Sequence, residues 1–318
     1  MNVLTEQQLR TLVGLDHEVV ACIEEAFVEL AAGNVAQPPG LELDLDDRNG
    51  IALVKAAYAS GQPRFAIKLV SAYFDNPSVG LPSVNGLIVT FDAAHGQIDA
   101  LLLDNAYLTN IRTAAAGAVA AQHLSRADSR TVAVLGAGTQ GRLQLEAVTL
   151  VRPIERAQLW APRYDETVRV AAELSADLGV NVVPASNALD AVRGADIVVT
   201  ATPSREPIVR SEWITPGQHL TAVGADTADK NELDPSILAR SVYVADSLSQ
   251  TRAVGELHHA VAAALVDADA DLAELGSVID GSRAGRRSPD DLTVADLTGV
   301  GAQDAAIASL AAARARMK

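Results

Sequence analysis

Three glycines, Gly136, Gly138 and Gly141, stand in the spacing G-x-G-x-x-G within TVAVLGAGTQGRLQL, residues 131–145. An apolar run ends at Leu135 just before them, and apolar residues at helical spacing follow. In a strand–turn–helix unit, the first glycine permits the tight turn. The second lets the backbone approach a pyrophosphate, and the third lets helix and strand pack closely. The helix N-terminus then offers unpaired N–H groups to anionic oxygens. The expected chemistry is dinucleotide binding, with Thr139 and Gln140 in the same loop. About 20 residues further on, NAD sites carry an acid for the ribose diol. Here that strand ends LWAPRYDE, with Ala161 near the expected place and no carboxylate before Asp165. An alanine with Arg163 beside it suits a 2′-phosphate. NADP is therefore expected ahead of NAD, with NAD left open, as is a plain solvated role for Arg163. No metal centre is expected. His258 and His259 are adjacent, so they point to different faces of a helix, and no matching Cys or Asp spacing accompanies them.

The elements that must position this loop change character along the chain. Thr5 with Gln8 predicts a capping box on a short helix, and Asp16 caps a longer helix that ends at Gly33. Residues 41–110 read as strands broken by turns: LELDLDD, IALVKAAY, RFAIKLVSAY, GLIVTFD and QIDALLLD. Adjacent strands with few helices predict an antiparallel or mixed sheet. YLTNIRTAAAGAVAAQHLS then reads as an alanine-rich helix whose small residues permit close packing. From Thr131 strands and helices alternate, through TVAVLG, AQLWA, NVVPA, DIVVTA, HLTAVG and VYVAD. Asp165 is expected to cap a helix over 165–178, and Asp234-Pro235 to open another. Alternation of this kind implies a parallel doubly wound sheet. The late glycine motif thus opens a second domain, and the first must have another job.

Composition bounds the rest. The 318 residues suffice for two ordinary domains, and 49% hydrophobic content supports a substantial core. A net charge of −15 disfavours nucleic acid and anionic membranes as partners. No apolar stretch is long enough to span a bilayer, and the polar start MNVLTEQQLR lacks a signal-peptide core. Cys22 is the single cysteine, so no internal disulfide forms, which suits a reducing cytoplasm. Its place beside Ile23 on a helix stripe predicts a core residue.

Four stretches in order, KLVSAYFDNPSVGLPSVNG, LLLDNAYLTNIRTAAAGAVAA, AVGADTADKNELDP and DLTGVGAQDAAIA, resemble the ornithine cyclodeaminase/μ-crystallin family. NELDP and GELHHA resemble its ectoine-utilisation cyclodeaminase-like branch. The resemblance implies a Rossmann doubly wound parallel sheet, residues 121–301. To it is joined a smaller α+β substrate and dimerisation domain, residues 1–120 with 302–318. It implies a homodimer, bound NADP or NAD, and chemistry at the α-carbon of a small amino or imino acid. It further implies that Lys68 contacts a substrate carboxylate or carbonyl oxygen and takes part in catalysis. By the same resemblance, Arg112 binds the carboxylate and Asp226 is the acid/base group beside the nicotinamide. Ser83, Thr113, Thr139, Gln140, Thr200, Val223, Gly224, Lys230 and Thr298 match cofactor or pocket positions.

The physics of these residue types agrees with such roles. Lys68 and Arg112 supply positive charge, and arginine can grip a carboxylate with two bonds. Asp226 follows HLTAVG, at the end of a buried strand, where parallel sheets place ligands. Taken alone, Lys68 could be solvated, Arg112 an ion-pair partner and Asp226 a turn residue. In QPPGLELDL, Gly40, Leu41 and Glu42 stand where the family pattern leads one to look for an arginine on the substrate carboxylate. Lys55 on the next strand could replace that charge, or pair with Glu42 across the sheet. Ornithine itself is therefore not assigned. The leading expectation is a cyclodeaminase-like enzyme, which oxidises its substrate to an imine, cyclises it with loss of ammonia and re-reduces it. The alternatives are an imine reductase or amino-acid dehydrogenase, and a non-catalytic NADP(H)-binding protein of the crystallin type.

Overall fold

The computed structural model describes residues 2–317. The chain forms two compact units. One runs to Arg112 and resumes at Val300; the other is Thr113–Gly299. The division falls inside the helix Tyr107–Leu124, eight residues before the boundary expected at 120.

The first unit is built on strands β1 (Asn2–Thr5), β2 (Val35–Ala36), β3 (Leu41–Leu45), β4 (Gly50–Ala59), β5 (Arg64–Tyr73), β6 (Val84–Asp92) and β7 (Ile98–Leu103). Their order is β1-β7-β6-β5-β4-β2, with β3 also on β4. All pairs are antiparallel except β1 with β7, so the sheet is mixed. The helix Gly301–Met317 packs on β4, β5 and the helix His17–Ala31. Gly301 eases that approach, because a Cβ would stand 3.1 Å from the Ala56 carbonyl oxygen, closer than an ordinary contact. The expected caps form: Thr5 and Gln8 make the capping box, and Asp16 accepts from the Val19 N–H at 2.8 Å. Cys22 is only half-buried, and its thiol is pushed up to about 11 by burial and then by Glu25.

The second unit holds β8 (Thr131–Leu135), β9 (Arg156–Trp160), β10 (Asn181–Pro184), β11 (Ile197–Thr200), β12 (His219–Ala222), β13 (Val242–Ala245), β14 (Ala273–Glu274) and β15 (Thr293–Asp296). They form a fully parallel sheet of order β10-β9-β8-β11-β12-β15-β13-β14. The strand order reverses between β8 and β11, the switch point at which such sheets open a ligand crevice. β15 was not anticipated. It arrives last in the chain yet inserts between β12 and β13, a placement that no local period encodes. Gly117 lets the helix Tyr107–Leu124 meet Gln144, whose amide donates to the Thr113 carbonyl at 2.9 Å.

Two helix starts differ from expectation. The helix Tyr164–Leu178 has Arg163 at its N-cap with no side-chain cap bond. Asp165 lies in its first turn, where a carboxylate complements the helix dipole instead of capping it. Asp234-Pro235 opens only a short 3₁₀ turn, Pro235–Arg240, with Asp234 accepting from the Ser236 N–H at 3.0 Å.

Candidate functional site

In the second unit, the glycine loop leaves β8 with Gly136 at φ 124°, a conformation that disfavours side chains. A Cβ on Gly136 would meet the Ala201 carbonyl oxygen at 2.4 Å, and one on Gly141 would meet the Gly136 oxygen at 1.8 Å. Gly138 has nothing within 4 Å of its would-be Cβ. It is the N-cap of the helix Thr139–Val151 and supplies no capping side chain. The first N–H groups of that helix therefore face an open cradle of the kind a pyrophosphate fills.

Beside the loop lies a cavity of about 170 Å³ lined by Gln140, Ala201, Thr202, Pro203, Val223, Gly224, Asp226 and Lys230. Five of these were expected from the sequence; Ala201, Thr202 and Pro203 were not. The Asp226 side chain is about half exposed, and Lys230 Nζ stands 2.6 Å from its Oδ1. Lys230 thus serves as the ion-pair partner of the candidate acid/base group. A half-exposed carboxylate at a cavity wall can accept a proton from a ligand amine and return it.

The pocket is held by a residue that the sequence reading missed. Glu232, fully buried, accepts from the Thr200 hydroxyl at 2.8 Å, the Thr202 N–H at 2.6 Å and hydroxyl at 2.7 Å, and the Gly224 N–H at 2.7 Å. One carboxylate thereby ties the chain after β11 to the chain after β12. Burial raises its pKa, opposed by those bonds. Its own N–H is held by buried Glu256, 2.8 Å away. The two glutamates come from NELDP and GELHHA, so the stretches that suggested the ectoine-utilisation branch brace this cavity.

Other expected cofactor residues fall outside the cavity lining. Thr200 gives its hydroxyl to Glu232, a bracing role. The buried Thr298 hydroxyl bonds Asp246 at 3.0 Å and accepts from Gln250 at 3.0 Å. Thr113 offers its carbonyl to Gln144. Thr139 is the first residue of the glycine-loop helix. Arg163 is 82% exposed and pairs with Glu166 at 2.7 Å. Ser83 belongs to the first unit, where its carbonyl accepts from the Tyr73 N–H at 2.8 Å. Among the described residues, no three acidic, histidine or cysteine side chains group to hold a metal. His259 Nε2 lies 2.7 Å from the Lys230 carbonyl oxygen.

The first unit gathers a second constellation. Lys68 on β5 is 4% exposed and lies 2.7 Å from Asp304 Oδ2. Arg112 donates from Nε to Asp304 Oδ1 at 2.9 Å and from a terminal nitrogen to Gln303 Oε1 at 2.8 Å. Lys55 on β4 stands directly across from Lys68. Burial drives the Lys68 pKa down to about 8; Asp304 opposes this, while Arg112 and Lys55 add to it. For Asp304, burial is outweighed by Arg112 and Lys68, and its carboxyl stays below the usual range.

Asp104, also buried, bonds the Leu108 N–H at 2.9 Å, and burial pushes its carboxyl up to about 6. It precedes Asn105 and Ala106, both at positive φ, a strained turn that launches the helix carrying Arg112. Asp104 and Asp304 both lay within stretches that carried the family resemblance, yet neither was assigned a site role. Glu42 requires a correction. It is exposed and faces Leu53, two positions along the strand from Lys55. Gly40 instead lies against the Lys55 stem, where a Cβ would stand 3.5 Å from Lys55 Cγ.

A parallel sheet opening its crevice at a glycine-rich loop, together with a separate α+β unit, defines a Rossmann-type dinucleotide-binding protein. The chain belongs to the ornithine cyclodeaminase/mu-crystallin family, whose profile matches residues 1–318. It is 51% identical to an uncharacterized cyclodeaminase of Sinorhizobium fredii, over 99% of this chain and 96% of that one. Among solved structures, it resembles the Thermococcus litoralis Δ1-pyrroline-2-carboxylate reductase in complex with NADH and L-proline. That match has a TM-score of 0.94 and 31% identity, covering 100% of this chain and 98% of that one. It also resembles an archaeal alanine dehydrogenase dimer with bound NAD, at TM-score 0.93 and 33% identity, covering 100% and 96%.

Proposed function

We propose that the protein is an NAD(P)-dependent imine reductase or amino-acid dehydrogenase acting at the α-carbon of a small amino or imino acid. The observation that carries this reading is the charge balance of the first unit. Lys68 and Arg112 can hold a substrate carboxylate, while Asp304 is taken by both of them and Asp104 is bonded to the Leu108 N–H. A basic amino acid that is to be cyclised brings a distal ammonium, and a buried group in which the cations Lys55, Lys68 and Arg112 outnumber the acids Asp104 and Asp304 suits a carboxylate better than a further cation. The similarity to a pyrroline-carboxylate reductase and an alanine dehydrogenase supports the same choice.

The nicotinamide, when bound, supplies or accepts the hydride. Arg112 and Lys68 orient the substrate by its carboxylate. Asp226 moves the proton on the substrate nitrogen, and Lys230 holds Asp226 in place. The cyclodeaminase reading is kept because the Sinorhizobium fredii relative carries that name. The absorbance of reduced nicotinamide separates the readings. A reductase consumes one reduced cofactor per substrate, and a cyclodeaminase releases ammonia with no net change. If a panel of amino, imino and keto acids gives neither, the chain is a binding protein of the crystallin type.

Cofactor choice is part of the proposal. Arg163 is exposed just after β9, and we take it as the reader of a 2′-phosphate. Titration of the wild type with both cofactors should favour NADP. Arg163→Ala should weaken NADP by about tenfold, the scale of one charge-assisted contact, and leave NAD unchanged. An untouched NADP affinity removes the basis for the preference, and Glu166 then has the arginine to itself.

We also propose that a second copy covers the outer face of the first unit's sheet. There Val54, Leu69, Leu87 and Leu103 line a groove of about 350 Å³, and Leu41 and Leu43 are 62% and 54% exposed. Exposed apolar surface of this kind marks an interface.

A further inference from the structure

We propose that Asp304 is a positioning residue that binds Lys68 and Arg112 into one device, aiming the arginine fork at the substrate carboxylate and keeping Lys68 an ammonium. This rests on the reading of Lys68 and Arg112 as the carboxylate grip. Asp304 lies in the first turn of the helix Gly301–Met317, and its two oxygens face different cations. Gln303, one residue earlier, takes a terminal nitrogen of the same guanidinium and also accepts from the Val300 N–H at 3.3 Å. A guanidinium has five N–H donors. Asp304 uses the Nε proton and Gln303 uses one terminal proton. Three donors remain, enough to meet a carboxylate with two bonds.

The charge argument is independent of that geometry. Lys68 is faced by Lys55 from the neighbouring strand, Arg112 from the helix Tyr107–Leu124, Asp104 from the turn before that helix, and Asp304 from the last helix. Burial and two cations all favour loss of its proton. Asp304 is the ion-paired carboxylate that opposes them, and it raises the lysine's pKa.

Protein labelled with ε-¹³C-lysine reports Lys68 directly, its signal assigned by absence in Lys68→Arg. The wild-type signal should titrate near about 8. Asp304→Asn should lower that midpoint by at least about one unit, a tenfold change in ionisation. The alkaline limb of kcat/KM should move down with it, and KM for the carboxylate substrate should rise at least about tenfold. Asp304→Glu should keep the midpoint near the wild-type value while still raising KM, because the charge survives and the spacing does not. This variant also decides the matter if the asparagine variant fails to fold. An unmoved Lys68 titration and unmoved KM in Asp304→Asn, or a wild-type KM in Asp304→Glu, overturns the proposal. The NMR titration needs no turnover. If it responds as expected while no amino, imino or keto acid reacts, the proposed activity has failed and the positioning role stands.

Discussion

Asp226→Asn should lower turnover by at least about 10²-fold while leaving dinucleotide affinity within about twofold, the pattern of a lost general acid–base group. The carboxylate is about half exposed at the wall of the cavity, so its replacement buries no new polar group, though Lys230, 15% exposed, loses its 2.6 Å counter-charge. Asparagine keeps the size and part of the hydrogen bonding. It cannot accept a proton from an amine, and it loses the charge that Lys230 meets at 2.6 Å. Steady-state kinetics on the true substrate, with a fluorescence titration of reduced cofactor, separates the two effects. Arg112→Ala is the useful contrast, because it removes a grip on the carboxylate and should raise KM as well. Near-normal turnover by Asp226→Asn would refute the assignment and leave Lys68 as the next candidate.

Gly138→Leu should weaken dinucleotide binding by about 100-fold or more and leave the fold intact. The backbone at Gly138, φ −75° and ψ −171°, is open to any L-residue, and no protein atom lies within 4 Å of a Cβ there. A leucine side chain would project into that cradle and deny the phosphates the N–H groups of Thr139 and Gln140. Loss of a favourable N-cap costs about 1 kcal/mol, which a unit of this size tolerates. Gly141→Ala should behave in the opposite way. Its Cβ would stand 1.8 Å from the Gly136 oxygen, so the strand–helix contact itself must give, and thermal stability falls with binding. Calorimetric titration and thermal melts of the two variants give the comparison. Wild-type cofactor affinity in Gly138→Leu would remove the glycine loop from the site.

The features legible in the sequence share a short range. The G-x-G-x-x-G loop, the Thr5–Gln8 capping box and the Asp16 cap each act within a few residues of themselves, so local spacing encodes them. The alternating strands and helices after Thr131 are legible for the same reason, because period and turn chemistry are local. The position of Asp226 just past a buried strand is local in the same way, but its acid/base role is what the family resemblance implies, since a turn residue would fit that position equally well. By contrast, the tertiary structure alone decided which charges meet. Arg112 and Asp304 lie 192 positions apart, and Lys55 and Lys68 face each other only through the β4–β5 register. Glu232 has no local signal of its role until folding brings Thr200, Thr202 and Gly224 around it. The same limit left a Glu42–Lys55 pair open in the sequence, whereas in the sheet Glu42 faces Leu53, two positions from Lys55. A residue's type states what it can bind, and that much is local. Its partner is chosen by the packing of distant segments, where burial makes an unpaired charge too costly to leave alone.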